Sequence, residues 1–96
     1  MTKLEEKLLE LGYVLDNVEF FRNEVLFSNY EKYFKHCRIV AGVCPKIEET
    51  SKQYHLFIKA DTNRFAYQEF IDNLQQAFNE MQKDLAILKE IEQCQD

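Results

Sequence analysis

Glycine and proline are scarce in this chain of 96 residues, which contains two glycines and one proline. These residues supply many tight turns, because glycine adopts positive φ angles and proline fixes its own φ. Their scarcity predicts few tight turns and long regular elements. Core material is ample, since 46% of the residues are hydrophobic and 14% are aromatic. An intrinsically disordered chain is therefore excluded.

Long apolar runs are also missing. No stretch approaches the ~20 apolar residues that a transmembrane helix needs, and the N-terminal segment lacks the pattern of a signal peptide. The three cysteines, Cys37, Cys44 and Cys94, lack the spacing of a disulfide framework or a zinc site. We therefore expect a single cytosolic domain, residues 1–96, with reduced thiols.

Basic residues are few in the last third of the chain. Residues 61–96 hold three Lys or Arg against eight Asp or Glu, whereas residues 1–60 hold nine of each. The whole net charge of −5 therefore lies in the C-terminal segment. Such a segment repels phosphates, which argues against nucleic acid as its partner. A solvated acidic face that keeps the protein soluble is the simpler explanation.

Apolar residues in the C-terminal stretch recur in steps of four and three, which places them on one face of a helix. They are Tyr67, Ile71, Leu74, Phe78, Met81, Leu85 and Leu88. We predict a continuous helix over about residues 63–92. Thirty residues of helix measure ~45 Å, whereas a compact domain of this length has a radius of gyration of only ~13 Å. The first half of the helix is expected to pack on the core.

The second half of this helix needs a cover of its own. Two packing partners for this half are considered: the N-terminal helix and a second chain in a homodimer. The pattern approaches a strict heptad over about three repeats, the threshold for a coiled coil. The predicted interface residues are Phe78, Met81, Leu85, Leu88 and Ile91.

A short helix is predicted over residues 3–11. Thr2 is placed to cap it, with Glu5 at the third position, and Gly12 is a natural stop. Residues 13–22 fit either a continued helical stripe or a short strand. The extended alternative is favoured because Gly12 breaks the helix and residues with β propensity follow.

Strands are predicted at about residues 24–30, 33–41 and 53–60, with a turn at Glu31-Lys32 and a loop over 42–51. Cys37, Ile39 and Ala41 fall on one face of their strand. The predicted fold is α+β: a short N-terminal helix, a three- to four-stranded antiparallel sheet, and a long C-terminal helix on one sheet face. The competing interpretation makes residues 14–36 helical.

The residues that could bind a metal are His36, Cys37, Cys44 and His55. Neighbouring His36 and Cys37 point to opposite faces of a strand, so they do not easily share one ion. No cysteine lies near an obvious base, and the paired acids show no reason for a perturbed pKa. The sequence therefore predicts no metal ion, no cofactor, no catalytic residue and no enzymatic activity.

A basic stretch in the middle of the chain comprises Lys32, Lys35, His36, Arg38 and Lys46. Aromatic residues are interleaved with it, and aromatics combined with cations can stack bases and bind phosphates. Glu31 interrupts the stretch, and the net charge of the chain opposes it. Nucleic-acid binding is thus the alternative function, and an ordinary solvated sheet face is the simpler explanation of the pattern.

The chain is rich in Lys, Asn, Ile, Phe and Tyr and poor in Gly, Ala, Pro and Arg. It opens with LEEKLLELGY at residues 4–13, continues with short predicted strands and closes with an acidic helix. In this style it resembles small accessory proteins of phages and mobile elements of low-GC bacteria. The resemblance implies a protein that binds a host or phage protein. The expected function is therefore a non-catalytic protein–protein interaction module.

The predicted strand facing sets the reactivity of the thiols. Cys37 is expected to react slowly with an alkylating reagent, because it shares a buried strand face with Ile39, and Cys94 is expected to react fast at a frayed terminus. Timed alkylation followed by mass mapping measures both rates. Equal rates at the two sites would show that the predicted facing is wrong.

Overall fold

The chain folds into an antiparallel sheet of four strands with two helices, and the computed structural model describes residues 2–44, 54–60 and 67–93. The strands follow one another across the sheet in the order β1-β2-β3-β4. This architecture confirms the predicted α+β fold. The elements are α1 (Lys3–Glu10), β1 (Val14–Phe21), β2 (Glu24–Phe34), β3 (Cys37–Val43), β4 (Tyr54–Ala60) and α2 (Tyr67–Gln93).

Helix α1 begins and ends where its capping residues indicate. The Thr2 hydroxyl accepts a hydrogen bond from the Glu5 N–H at 3.1 Å. Gly12 has a φ of 98°, which glycine adopts without steric cost. The N–H of Tyr13 then donates to the carbonyl of Leu8 at 2.9 Å, which satisfies a carbonyl at the helix end.

Residues 14–21 form strand β1, so the extended alternative is confirmed and the helical interpretation of 14–36 is wrong. A two-residue turn joins β1 to β2, with positive φ at both Arg22 and Asn23. Positive φ at both central residues is the geometry of a type I′ hairpin, whose twist matches that of the strands. The β1–β2 register shifts between Leu15 and Asn17 and between Glu19 and Phe20.

Strand β2 is longer than predicted, and the expected turn at Glu31-Lys32 is wrong. The strand continues to Phe34, and the chain turns at residues 35–36 before β3 begins at Cys37. Lys32 lies inside β2 and pairs with Ile39 across the sheet. A lysine at a position facing the helix layer is stable there because its charge is matched by acidic residues of α2.

The predicted facing of β3 is confirmed. Cys37, Ile39 and Ala41 are all buried. On β4, Tyr54 is buried on the same side, while His55, Phe57 and Lys59 alternate outward. The central core combines both helices with this sheet face and consists of Leu4, Leu8, Tyr13, Tyr30, Ile39, Ala41, Val43, Tyr54 and Leu88.

Helix α2 turns most of the predicted apolar face inward: Leu88 is buried, and Met81 and Leu85 pack against the core. The face is rotated relative to the prediction, because Tyr67 and Phe78 are exposed whereas the polar residues Asn73 and Asp84 are buried. Asn73 faces inward because its side chain accepts the His36 N–H at 2.8 Å, and Ala77 is small enough to permit close approach. Neither α1 nor α2 is long and apolar enough to cross a membrane.

Aromatic rings cover part of the sheet face opposite the helices. The His55 ring lies 5.3 Å from Phe27, edge to face, and 5.7 Å from Phe57, stacked. It lies over Gly42, its cross-strand neighbour, and a Cβ atom there would overlap the ring. Gly42 therefore provides the space in which this aromatic row packs.

Gly42→Ala is expected to lower the free energy of unfolding by about 0.5–1.5 kcal/mol, because the new methyl group displaces the His55 ring from its contacts with Phe27 and Phe57. The loss should shrink when the change is made in a His55→Ala background, where the space is empty. Urea denaturation followed by circular dichroism measures both values. An equal loss in the two backgrounds would contradict the steric explanation.

Candidate functional site

The predicted basic stretch divides between different parts of the structure. Lys32 faces the helix layer, Arg38 lies on the opposite sheet face, and Lys35 and His36 form the β2–β3 turn. Lys46 lies outside the described residues. These residues are close in sequence, but they do not form a single basic patch on the protein surface.

Lys32 belongs to a buried polar network. Its ammonium group lies 2.8 Å from the carboxylate of Asp84 and 3.3 Å from that of Glu80. The Tyr13 hydroxyl donates to the same Asp84 oxygen at 2.7 Å. Asp84 is only 1% exposed, and burial together with this hydrogen bond raises the pKa of Tyr13 above its ordinary value. The network joins the sheet to α2. The Tyr13 phenol stays protonated, so it does not act as a nucleophile.

The other described residues of the basic stretch, Lys35, His36 and Arg38, line a cleft of about 400 Å³ beside the β2–β3 turn. Lys59, which the sequence did not single out, joins them because it is the direct cross-strand neighbour of Arg38. Only a prediction of how β3 pairs with β4 would have identified Lys59 from the sequence. The residues that line this basic cleft are Tyr33, Phe34, Lys35, His36, Cys37, Arg38, Lys59 and Ala60.

Two carboxylates partly neutralise the basic cleft. Glu69 of α2 pairs with Lys35 and with His36 Nε2, the latter at 3.2 Å. Hydrogen bonds from these two residues lower the pKa of Glu69. Glu31 pairs with Arg38 Nη1 at 2.7 Å and accepts the Tyr33 hydroxyl. This part of the protein thus already binds carboxylates through its cations.

The predicted interface on α2 is mostly taken up by the chain's own packing. Leu88 is 0% exposed and lies in one cluster with Leu4 and Leu8 of α1. Met81 and Leu85 pack against that cluster, and Ile91 is half-buried. Among these five predicted interface positions, Phe78 alone is exposed. The N-terminal helix thus contributes to covering the second half of α2.

A different apolar surface lies on residues 14–26, here called the hairpin arm. It carries half of the large hydrophobic residues that are exposed in the described part of the chain. Consecutive exposed residues on a strand point to opposite faces, so both faces of β1 are uncovered. Helix α2 packs chiefly on β3 and β4. The exposed residues of the arm are Val14, Leu15, Phe20, Phe21 and Leu26.

The residues considered for metal binding do not converge. Cys37 faces Asn73 of α2, with its sulfur 3.2 Å from the Asn73 amide oxygen, whereas His55 packs between aromatic rings on the opposite sheet face. Within residues 2–44, 54–60 and 67–93, no group of three or more His, Cys, Asp or Glu side chains is arranged to hold a metal ion.

Lys32→Met is expected to lower the free energy of unfolding by about 3–5 kcal/mol, because it leaves the buried Asp84 carboxylate without its nearest cation. Lys35→Met is the matched control, since the Lys35 side chain is 70% exposed and exposed pairs contribute only about 0–1 kcal/mol. Chemical denaturation compares the two. The double variant Lys32→Met/Asp84→Leu should recover most of the loss, and equal losses in the two single variants would contradict the assigned role.

No protein-family model matches this chain, and comparisons with curated proteins and with solved structures found no match. The hairpin arm and the basic cleft are therefore the two candidate sites that the geometry provides.

Proposed function

We propose that this protein is a non-catalytic interaction module that binds a protein partner through its hairpin arm. The observation that carries the proposal is the concentration of exposed apolar side chains there: Phe20 is 64% exposed and Phe21 60%. Exposed apolar patches of this kind are typical of interaction sites. Aromatic residues are also enriched among the residues that dominate binding energy.

The energetics of the arm favour a protein over a small ligand. Burying one such aromatic side chain contributes about 1.5–3 kcal/mol, so Phe20 and Phe21, which point to opposite faces of β1, each supply a central contact for a modest interface on their own face. The remaining exposed apolar residues extend the apolar surface along both strands, with Val14 and Leu15 at the start of β1 and Leu26 on β2. An extended two-stranded arm of this kind suits contact with another folded protein.

The resemblance to phage and mobile-element accessory proteins gives the partner class, a host or phage protein. A cytoplasmic setting is part of the proposal, and the reduced, buried thiol of Cys37 is compatible with it. A homodimer formed through α2 is the competing arrangement. Phe78 is its exposed candidate contact, because Leu88 is already inside the core.

Nucleic-acid binding through the basic stretch has weaker support. Lys32 is committed to the buried carboxylate of Asp84 and does not face the basic cleft. A nucleic-acid strand requires a cationic groove that follows its backbone, and the described residues provide a local cleft instead. The net charge of −5 also opposes a polyanion.

Affinity purification from the native host with Phe20→Ser/Phe21→Ser should recover about tenfold less of the main partner than the wild type does, because the central apolar contact is removed. Quantitative mass spectrometry measures the recovery. Circular dichroism should show an unchanged fold, since both side chains are exposed.

Phe78→Ser is the matched control, because it removes an exposed phenylalanine from α2. Its partner recovery should equal that of the wild type. Light scattering of the purified proteins reports a homodimer separately. Partner recovery that survives the hairpin variant and falls with Phe78→Ser would move the interface to α2 and contradict the proposal.

A further inference from the structure

Two cations stand side by side at the mouth of the basic cleft. One row of side chains crosses β2, β3 and β4 and consists of Tyr33, Arg38 and Lys59. Arg38 is the direct cross-strand neighbour of both other residues. Like charges directly opposite each other destabilise a sheet. Glu31 compensates Arg38. Lys59 makes no ion pair within the part of the chain that the structure describes, and its ammonium group lies 5.9 Å from the centroid of the Phe57 ring. An external anion would relieve this repulsion.

The cleft retains positive charge after its internal pairs are considered. Within residues 2–44, 54–60 and 67–93, the carboxylate partners of Lys35 and Arg38 are Glu69 and Glu31, and Lys59 has none. The three cations and two carboxylates named here leave one positive charge in excess among the described residues, in a chain whose net charge is −5. Against that acidic background, the cleft is a place where an anion gains from local attraction.

We propose that the basic cleft binds the phosphate group of a small molecule that also carries an aromatic ring, as a nucleotide does. Lys59 and Arg38 bind the phosphate, and Lys35 contributes at the turn. Tyr33, 64% exposed and next to Arg38, offers its ring for stacking. The cleft of about 400 Å³ lies within the range of ~300–1,000 Å³ typical of small-molecule sites.

A small phosphate fits this site better than a nucleic-acid strand. The described residues that line the cleft lie at the β2–β3 turn and its flanking strand ends and at the adjoining end of β4. Further along the same sheet face, Asn29 contacts Glu19 and Asn17, and Asn17 contacts Asp16. These acidic groups repel a phosphate backbone that continues in that direction. The proposal concerns a site separate from the hairpin arm and does not depend on the protein partner.

The test is an NMR titration of the ¹⁵N-labelled full-length chain with AMP, ribose 5-phosphate and inorganic phosphate, each to about 10 mM, where millimolar affinities are resolved. AMP should shift the amide signals of residues 33–38 and 59–60. It should bind more tightly than ribose 5-phosphate, because only AMP can stack on Tyr33. Tyr33→Leu should reduce the AMP affinity to that of ribose 5-phosphate.

Lys59→Gln should weaken AMP binding about tenfold, because it removes a charged contact to the phosphate. Lys89→Gln, the same charge change on the exposed side of α2, should leave the affinity unchanged. Three results would each overturn the proposal: no shifts at the highest AMP concentration, equal weakening by both variants, or tighter binding of an oligonucleotide without terminal phosphates than of AMP.

Discussion

The carboxylate of Asp84 joins three parts of the fold that are distant in sequence. It accepts the Tyr13 hydroxyl from the segment after α1 and the Lys32 ammonium from β2. A buried charge of this kind is tolerated only when its partners are in place. The position of α2 over the sheet, and with it the closure of the core around Leu88, therefore depends on a polar contact as well as on apolar packing.

Sequence reasoning predicted the parts of the fold that are determined locally. Thr2 and Gly12 bound α1 through their own backbone geometry, and the alternation along β3 identified Cys37 and Ile39 as inward-facing. The length of β2 and the rotation of α2 were not predictable in this way. Polar residues such as Lys32 and Asn73 face inward only because distant groups satisfy them.

The candidate surfaces were also predictable only where their residues are neighbours in sequence. Lys35, His36 and Arg38 were identified by proximity along the chain, but Lys59 joins them only through the pairing of β3 with β4. The hairpin arm was missed because Phe20 and Phe21 have the composition of core residues. Their exposure follows from the placement of α2 over β3 and β4, which no local pattern encodes.

The irregular pairing of β1 with β2 also bears on whether another strand can add to the edge of the sheet. Strand β1 lies at the edge of the sheet, and unpaired edges are templates for uncontrolled strand addition. Its register shifts after Leu15 and again after Glu19, and such bulges interrupt the ladder and twist the strand. Addition of a second strand along the whole of β1 is therefore disfavoured. The arm can attract partners through its side chains while its backbone resists growth into fibrils.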